Sequence, residues 1–421
     1  MMNVGALVAL MGVLVLASTA NAAVDVKNHG AKGNGLVDDS KAIQKALDTA
    51  GASGGGQVEL GVGRFRLDSP ITVPEGVTLK GVWEAPHHAQ LEKGTVLEIY
   101  AGKNKENDPP AVSLSPSSAV KGITFYYPEQ QVPDAFPYPY TVHGAGMHCS
   151  VLDCTFVNPY KAIDFGTKWN ELHHIRNCFG CPLKVGVHID KCSDIGRIEN
   201  VHFNPHYWMR SGAKNLPTWE TISDYLFKNL VAFEFGRTDW EYVHNTFCFG
   251  GKVGYRFFKT EDGTVNGNFL GLGADWCEVS VLVEECQGPG LLITNGEFVV
   301  GQGGKAFVEV APTNSGVVQF CNSSFWGPCG KIAIINGNGP VSFNQCNFSN
   351  YTEVEDKPYA LDIQSGDVTI QACEFRYAGP EIKLGKDVKT AVIMGNRFYN
   401  KKIIDNQSQG DVQEGLNVIR K

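Results

Sequence analysis

Short runs of alternating apolar and polar residues recur along the chain, and a phenylalanine closes many of them. The runs include Val151-Leu-Asp-Cys154-Thr-Phe156, Ile198-Glu-Asn-Val201-His-Phe203, Val341-Ser-Phe-Asn-Gln-Cys346-Asn-Phe348 and Val368-Thr-Ile-Gln-Ala-Cys373-Glu-Phe375. From Phe325 onward the steps to Phe348, Phe375 and Phe398 are 23, 27 and 23 residues. Period-two alternation predicts strands, and a repeat of this length built from strands and Gly/Asn turns predicts a solenoid. The period is interrupted between Phe203 and Phe247.

A second alternating strand can be aligned in successive repeats: Ala162-Ile-Asp164-Phe165-Gly166, Val187-His188-Ile189-Asp190, Ala232-Phe-Glu234-Phe235-Gly236-Arg237 and Gly254-Tyr-Arg256-Phe257-Phe258. Alternation turns Ile, Val and Phe inward and Asp164, His188, Glu234 and Arg256 outward. Stacked strands lie about 4.8 Å apart, so these four would form one ladder. Arg237-Thr-Asp239-Trp240-Glu241 adds charge and an aromatic at the end of the third rung.

Residues 23–57 have a different pattern. A short strand and a glycine loop lead to Asp39-Ser40, either of which can accept from the first free helix N–H groups. Ala42, Ile43, Ala46 and Leu47 then recur at helical spacing, and the glycines of 51–56 end the helix. Such a helix is placed to cap the first coil. Gly30-x-x-Gly33-x-Gly35 lacks the spacing of a nucleotide loop. Coils run from about Val58 to Asp405. Residues 83–111 and 126–145, rich in Pro, His, Tyr and charge, read as loops. Residues 204–230 read as an insertion with a short helix beside the ladder, carrying His206, Tyr207, Trp208 and Trp219. Insertions in solenoids gather on one face.

The run Val26-Lys-Asn-His-Gly30-Ala-Lys-Gly33-Asn-Gly35-Leu-Val-Asp38-Asp39-Ser40, with Gly54-Gly-Gly56-Gln-Val58 and Pro74-Glu-Gly76-Val-Thr-Leu79-Lys-Gly81, resembles the opening of the rhamnogalacturonase/epimerase-like branch of the pectate lyase superfamily. The resemblance covers roughly residues 24–82. It implies an all-β, right-handed parallel β-helix with an N-terminal capping helix, and a polysaccharide or oligosaccharide as ligand. It does not carry catalytic residues across. The Asp-Asp pair of polygalacturonase-like hydrolases occurs only as Asp38-Asp39, and no Gly-His-Gly or Arg-Ile-Lys is present. The Tyr-Gly-x-Asp-Pro-His of alginate epimerases is also absent.

Composition narrows the partners. The 421 residues carry a formal net charge of −8, which opposes nonspecific nucleic-acid binding. Leu7 to Ala17 is apolar but too short to span a bilayer of roughly 30 Å, and Ala20-Asn21-Ala22 offers a small-x-small cleavage site. Residues 1–22 therefore read as a signal peptide without a basic n-region, 23–421 as a single secreted or periplasmic domain, and no membrane partner is expected. Twelve cysteines would suit disulfides in such a compartment. The register instead sends Cys154, Cys178, Cys346 and Cys373 into the core as free thiols, with Gly180 in a phenylalanine slot; Cys277, Cys286, Cys321 and Cys329 stay open to pairing.

Together these readings point to a carbohydrate-active protein, either a glycoside hydrolase or a polysaccharide lyase. The expected catalytic residues are Asp164, His188, Asp190, Glu234 and Asp239. Arg237 and Arg256 would hold a uronate carboxylate bidentately, and His206, Tyr207, Trp208, Trp219 and Trp240 would line the sugar path. Trp276 and Trp326 read as packing residues. Asp164 and Glu234, two rungs apart, would sit roughly 9–10 Å from each other. No cofactor is required and no metal ligands are assigned: Cys178-x-x-Cys181 is unaccompanied and Pro205 separates His202 from His206. A calcium ion on Asp164, Asp190 or Asp239 would nevertheless fit a lyase. The alternative is a non-catalytic β-helix, a glycan binder or an adhesin or tail-spike-like protein. Oligomeric state is not legible.

Overall fold

The computed structural model describes residues 23–83, 90–301, 303–351 and 358–421. The leader expected over 1–22 lies outside them. The described chain is a parallel β-helix, right-handed as strand crossovers of this kind are. Each coil supplies a strand to three sheets. Lys161–Phe165 belongs to the first sheet; the next strand, His174–Gly180, bends at Asn177 and divides between the second and third. Among the described residues no helix is long and apolar enough to cross a membrane.

The bend is made by one residue in the left-handed region. Asp153, Asn177, Asn200, Asn245, Asn295 and Asn322 occupy it with φ between 49° and 55°. Asn and Asp tolerate this conformation because a short polar side chain can bond locally. Here the side chains bond from coil to coil instead. Asn177 Nδ2 donates to Asp153 Oδ1 at 2.9 Å, Asn200 Nδ2 to Asn177 Oδ1 at 2.9 Å, and Asn322 Nδ2 to Asn295 Oδ1 at 2.8 Å. Gly271, φ 67°, takes the equivalent place between Asn245 and Asn295 and leaves a gap in that amide stack.

The recurring phenylalanines fill the interior of the third sheet. Phe325, Phe348, Phe375 and Phe398 stack at centroid separations of 5.5, 4.9 and 4.8 Å, close to the rung spacing. Gly180 does occupy a phenylalanine slot, between Phe156 and Phe203. Phe247 does not. It pairs with His202 on the outer face, and the inner slots of its coil and the next hold Cys248 and Ala274. The reason lies across the core, where Phe233 and Tyr255 of the first sheet stack at 5.0 Å and claim the volume. The Tyr255 hydroxyl donates to the carbonyls of Thr246 and Gly273, at 3.0 and 3.1 Å, so a buried polar tip is satisfied where the opposing residues are small.

Helix α1, Ser40–Ala52, caps the first coils and buries Ile43, Ala46, Leu47 and Ala50. Each of the larger side chains contributes about 1.5–3 kcal/mol by leaving water. Asp39 stands at the N-cap position without capping: its carboxylate accepts from Lys32 and Gly33 N–H and ties the glycine loop down. Ser40 N–H is taken by Asp38.

One expectation is corrected and one open question is answered. Within the segments read as loops, Thr95–Ile99 and Tyr140–Gly144 are strands in the ordinary parallel register; the prolines between 128 and 139 hide the second. No disulfide forms among Cys277, Cys286, Cys321 and Cys329, and all twelve cysteines are free thiols. Cys154 and Cys178 are register partners in the core.

Candidate functional site

The first sheet sets the outward residues in strict sequence. His143 pairs with Asp164, Asp164 with His188, His188 with Glu234, and Glu234 with Arg256. Alternation alone produces this order, because the register partners Ile163, Val187, Phe233 and Tyr255 all turn inward. His143 lay in the segment read as a loop. Its signal was Thr141-Val-His143-Gly144, which repeats the Gly186-Val-His188-Ile189 pattern.

The ladder is tightly paired. His143 Nδ1 meets Asp164 Oδ2 at 2.8 Å, and His188 Nδ1 meets Glu234 Oε1 at 2.8 Å. Arg256 donates to Glu234 Oε2 at 3.3 Å and to both oxygens of Glu284 at 2.7 and 3.2 Å. Asp164 Oδ1 also accepts from Gly166 and Thr167 N–H. The face is largely sealed, with side-chain exposures of 2% for Asp164, 11% for Glu234 and 17% for His188. Gly166 makes room for this: a Cβ there would stand 2.4 Å from His188 Nε2.

Burial alone would raise the Asp164 carboxyl, but the His143 hydrogen bond and the His188 charge hold it below the usual range. Burial likewise works against ionised Glu234, and the His188 hydrogen bond and Arg256 outweigh it. Burial would lower His188, yet its bond to Glu234 raises it. The ladder thus holds two carboxylates ionised and one imidazole toward its charged form.

Aromatic and basic residues flank it. Tyr140 and Phe258 lie on either side of the His188 ring at 6.1 and 6.2 Å, both stacked. Lys161 Nζ sits 4.5 Å over the Tyr140 ring, and Lys161 and Lys184 share Glu106 at 3.3 and 2.8 Å. Burial and the Asp164, Glu234 and Glu106 charges push the Tyr140 hydroxyl well above its ordinary value. Tyr140, Phe258, Glu284, Lys161 and Lys184 were not among the expected site residues.

The other expected residues divide. Asp190 is 5% exposed, and its Oδ1 accepts from Arg237 N–H at 2.6 Å and the Thr260 hydroxyl at 3.1 Å, a structural brace. Asp239 faces Arg237 and Gln287 at the edge after the first sheet, near exposed Trp240 and with Trp169 under the Arg237 guanidinium. Tyr207 and Trp208 are buried. Helix α2, His206–Met209, and helix α3, Trp219–Asn229, send their aromatics over the third sheet: His206 stacks on Trp219 at 5.4 Å, and Trp219 meets Phe249. The insertion therefore brings its rings to the third sheet's outer face. Trp276 and Trp326, expected as packing, are 43% and 42% exposed. Asp164, Asp190 and Asp239, the carboxylates considered for calcium, each accept hydrogen bonds from protein donors.

A second polar cluster lies sealed behind the Asp239 edge. His173, Cys192 and Glu241 come together with both His173 and Glu241 at zero exposure. Asn170 donates to the carbonyls of Phe165, Lys168 and Asp190, which turns its oxygen toward His173 Nδ1 at 2.9 Å. Glu241 takes the other nitrogen at 3.0 Å, and its second oxygen accepts from Thr238. Both ring nitrogens therefore carry protons. Burial opposes this charge, but Glu241 raises the pKa to about 10. As hydrogen-bonded in this structure, His173 and Glu241 form a buried ion pair, with Cys192 Sγ 3.8 Å from His173 Nδ1.

Residues 23–108 match the family described as rhamnogalacturonase A/epimerase, pectate lyase-like. Mannuronan C5-epimerase AlgE6 of Azotobacter vinelandii is 37% identical over 82 residues, covering 18% of this chain and 9% of that protein. Alginate lyase 7 of the same organism is 42% identical over 55 residues, or 13% and 6% of the two chains. The chain thus spans less than a tenth of the length of these curated relatives. Among solved structures, the pre-mature gene product 12 of bacteriophage phi29 superposes with a TM-score of 0.61 at 13% identity, covering 94% of this chain and 56% of that one. The family match ends before His143, so it transfers none of the ladder. The chain thus carries a pectate lyase-like N-terminal segment over residues 23–108 and shares the parallel β-helix fold of that solved structure.

Proposed function

We propose that the chain acts on a uronate-containing polysaccharide by removing the proton next to the uronate carboxylate, leading to β-elimination or to inversion at that carbon. The observation that carries this is the state of Asp164 and Glu234: each is bound to a histidine and held ionised. Hydrolysis by a carboxyl pair needs one member protonated as the general acid. This face offers imidazoles, a phenol and cations instead. His143, oriented through Nδ1 by Asp164, serves as the base through Nε2. Protonated His188 and Arg256 neutralise the substrate carboxylate, with Lys161 and Lys184 adding positive charge beside it. Tyr140, kept protonated, returns a proton to the leaving oxygen or to the opposite face of the carbon. The N-terminal similarity to mannuronan epimerases and an alginate lyase supports this class of substrate. Localisation outside the cytoplasm fits it too.

The test is a panel of polyuronates and neutral glycans. Unsaturated-uronate absorbance indicates elimination, and solvent deuterium entering the C5 position without chain cleavage indicates inversion. Glu234→Gln removes the charge that holds His188, and one of the two carboxylates on Arg256, and is expected to lower the rate roughly 100-fold or more while the fold persists. New reducing ends without absorbance or exchange would defeat the proposal. A second reading rests on the completeness of the pairing, since every ladder charge already has a partner. On that reading the face is a cross-rung salt-bridge ladder of a glycan-binding β-helix, and saturable polyuronate binding with no product would identify it.

A further inference from the structure

A notch of about 460 Å³ opens on the outer side of the turn between the second and third sheets, away from the ladder strands. That volume is within the range of small-molecule sites, roughly 300–1,000 Å³. One coil makes it by omitting two side chains. Gly271 stands where the coils on either side carry Asn245 and Asn295, and Gly273 stands outward between Phe247 and Glu297. A Cβ on Gly271 would lie 2.8 Å from Asn245 Oδ1, so that amide oxygen points into the gap.

The walls pair flat rings with hydrogen-bonding groups. Phe247 borders the notch on one side, with an edge 2.6 Å from where a Gly273 Cβ would stand. Trp326 closes the other side. Its Nε1 donates to Glu297 Oε1 at 3.1 Å, which fixes the ring while 42% of the residue stays exposed. Asp275 and Glu297 contribute carboxylates, and no lysine, arginine or histidine lines the notch. Burial and the Glu297 charge raise the Asp275 carboxyl, so the two acids are close enough to feel each other and no cation relieves them.

We propose that this notch is a binding subsite for neutral saccharide residues. Aromatic faces suit the C–H faces of a pyranose, and amides with carboxylates suit its hydroxyls. Two uncompensated carboxylates repel a uronate, so the notch selects against the anionic sugar that suits the first sheet. The inference does not rest on the ladder: it concerns another face and a different ligand charge.

The experiment is calorimetric titration of the full chain with cellotetraose, mannotetraose, maltotetraose and tetramannuronate, for the wild type, Trp326→Ala and Gly271→Asn. Gly271→Asn fills the gap with the residue its neighbouring coils already carry in the left-handed region, and its Cβ has only the Asn245 amide tip to push aside. Far-UV circular dichroism and melting confirm that each variant is folded. At least one neutral tetrasaccharide is expected to bind, and each variant to weaken it about tenfold or more, the loss of roughly 1.4 kcal/mol of contact. Absence of binding by all three neutral probes overturns the proposal. So does wild-type affinity in either variant.

Discussion

Replacing Glu241 by glutamine removes the only negative charge facing the fully buried His173 within the cluster that surrounds it. The consequence can be worked from the pKa. His173 titrates at about 10 in the folded chain and near 6.5 when unfolded. A folded value above the unfolded one contributes stability that is fully present below pH ~6.5 and is lost as pH rises toward ~10. At 1.36 kcal/mol per unit the gap corresponds to roughly 5 kcal/mol near pH 6, most of which is gone by pH 9. Breaking one partner of a buried pair typically costs 3–5 kcal/mol, the same size. Denaturant unfolding of the wild type and Glu241→Gln at pH 6 and pH 9 therefore has a specific expectation. The stability difference should be several kcal/mol at pH 6 and should shrink by more than half at pH 9. A difference that does not change with pH would refute the imidazolium assignment, and with it the hydrogen-bond argument from Asn170.

Gly166→Ala should place a methyl against the His188 ring, costing about 1–3 kcal/mol and lowering turnover on any polyuronate substrate; wild-type rates with an unchanged melting temperature would show that the ring has room to move. Asp164 and Glu234 are held below their ordinary values, so their contribution is present above pH ~4.5 and is lost as pH falls through the folded values. Acid melting curves should therefore be shallower for Asp164→Asn than for the wild type, and parallel curves would argue against the pairing. With all twelve cysteines free, added thiol reductant should leave the melting temperature unchanged; a drop would reveal a disulfide.

Much of the ladder was legible because two fixed periods suffice for it. Alternation says which residues turn outward, and coil spacing says which rungs are adjacent. Neither period describes what lies over a rung. Asp164 reads as a surface acid in sequence and is nearly sealed in the fold, because the His143 ring of the preceding rung and the Gly166 and Thr167 amides take its oxygens. His143 and Tyr140 were hidden by the neighbouring prolines, although Thr141-Val-His143-Gly144 repeats the pattern of a coil. The tryptophans teach the same lesson in reverse. Phe325 turns inward, so alternation alone sends Trp326 outward; reading it as packing set residue type above register. Trp208 sits in an irregular insertion with no period to place it, and its burial depends on tertiary contacts.

The strand register has one more implication. Because His143, Asp164, His188, Glu234 and Arg256 occupy consecutive rungs, separations along this face come in whole steps of about 4.8 Å. A point substitution changes what a rung carries but not that interval. Excising the single coil that bears His188 would bring the Asp164 and Glu234 strands side by side, halving their separation in one move. Insertion of a coil would lengthen it by one step. Reaction geometry on such a scaffold is quantised, and gain or loss of whole coils is the mutation that changes it.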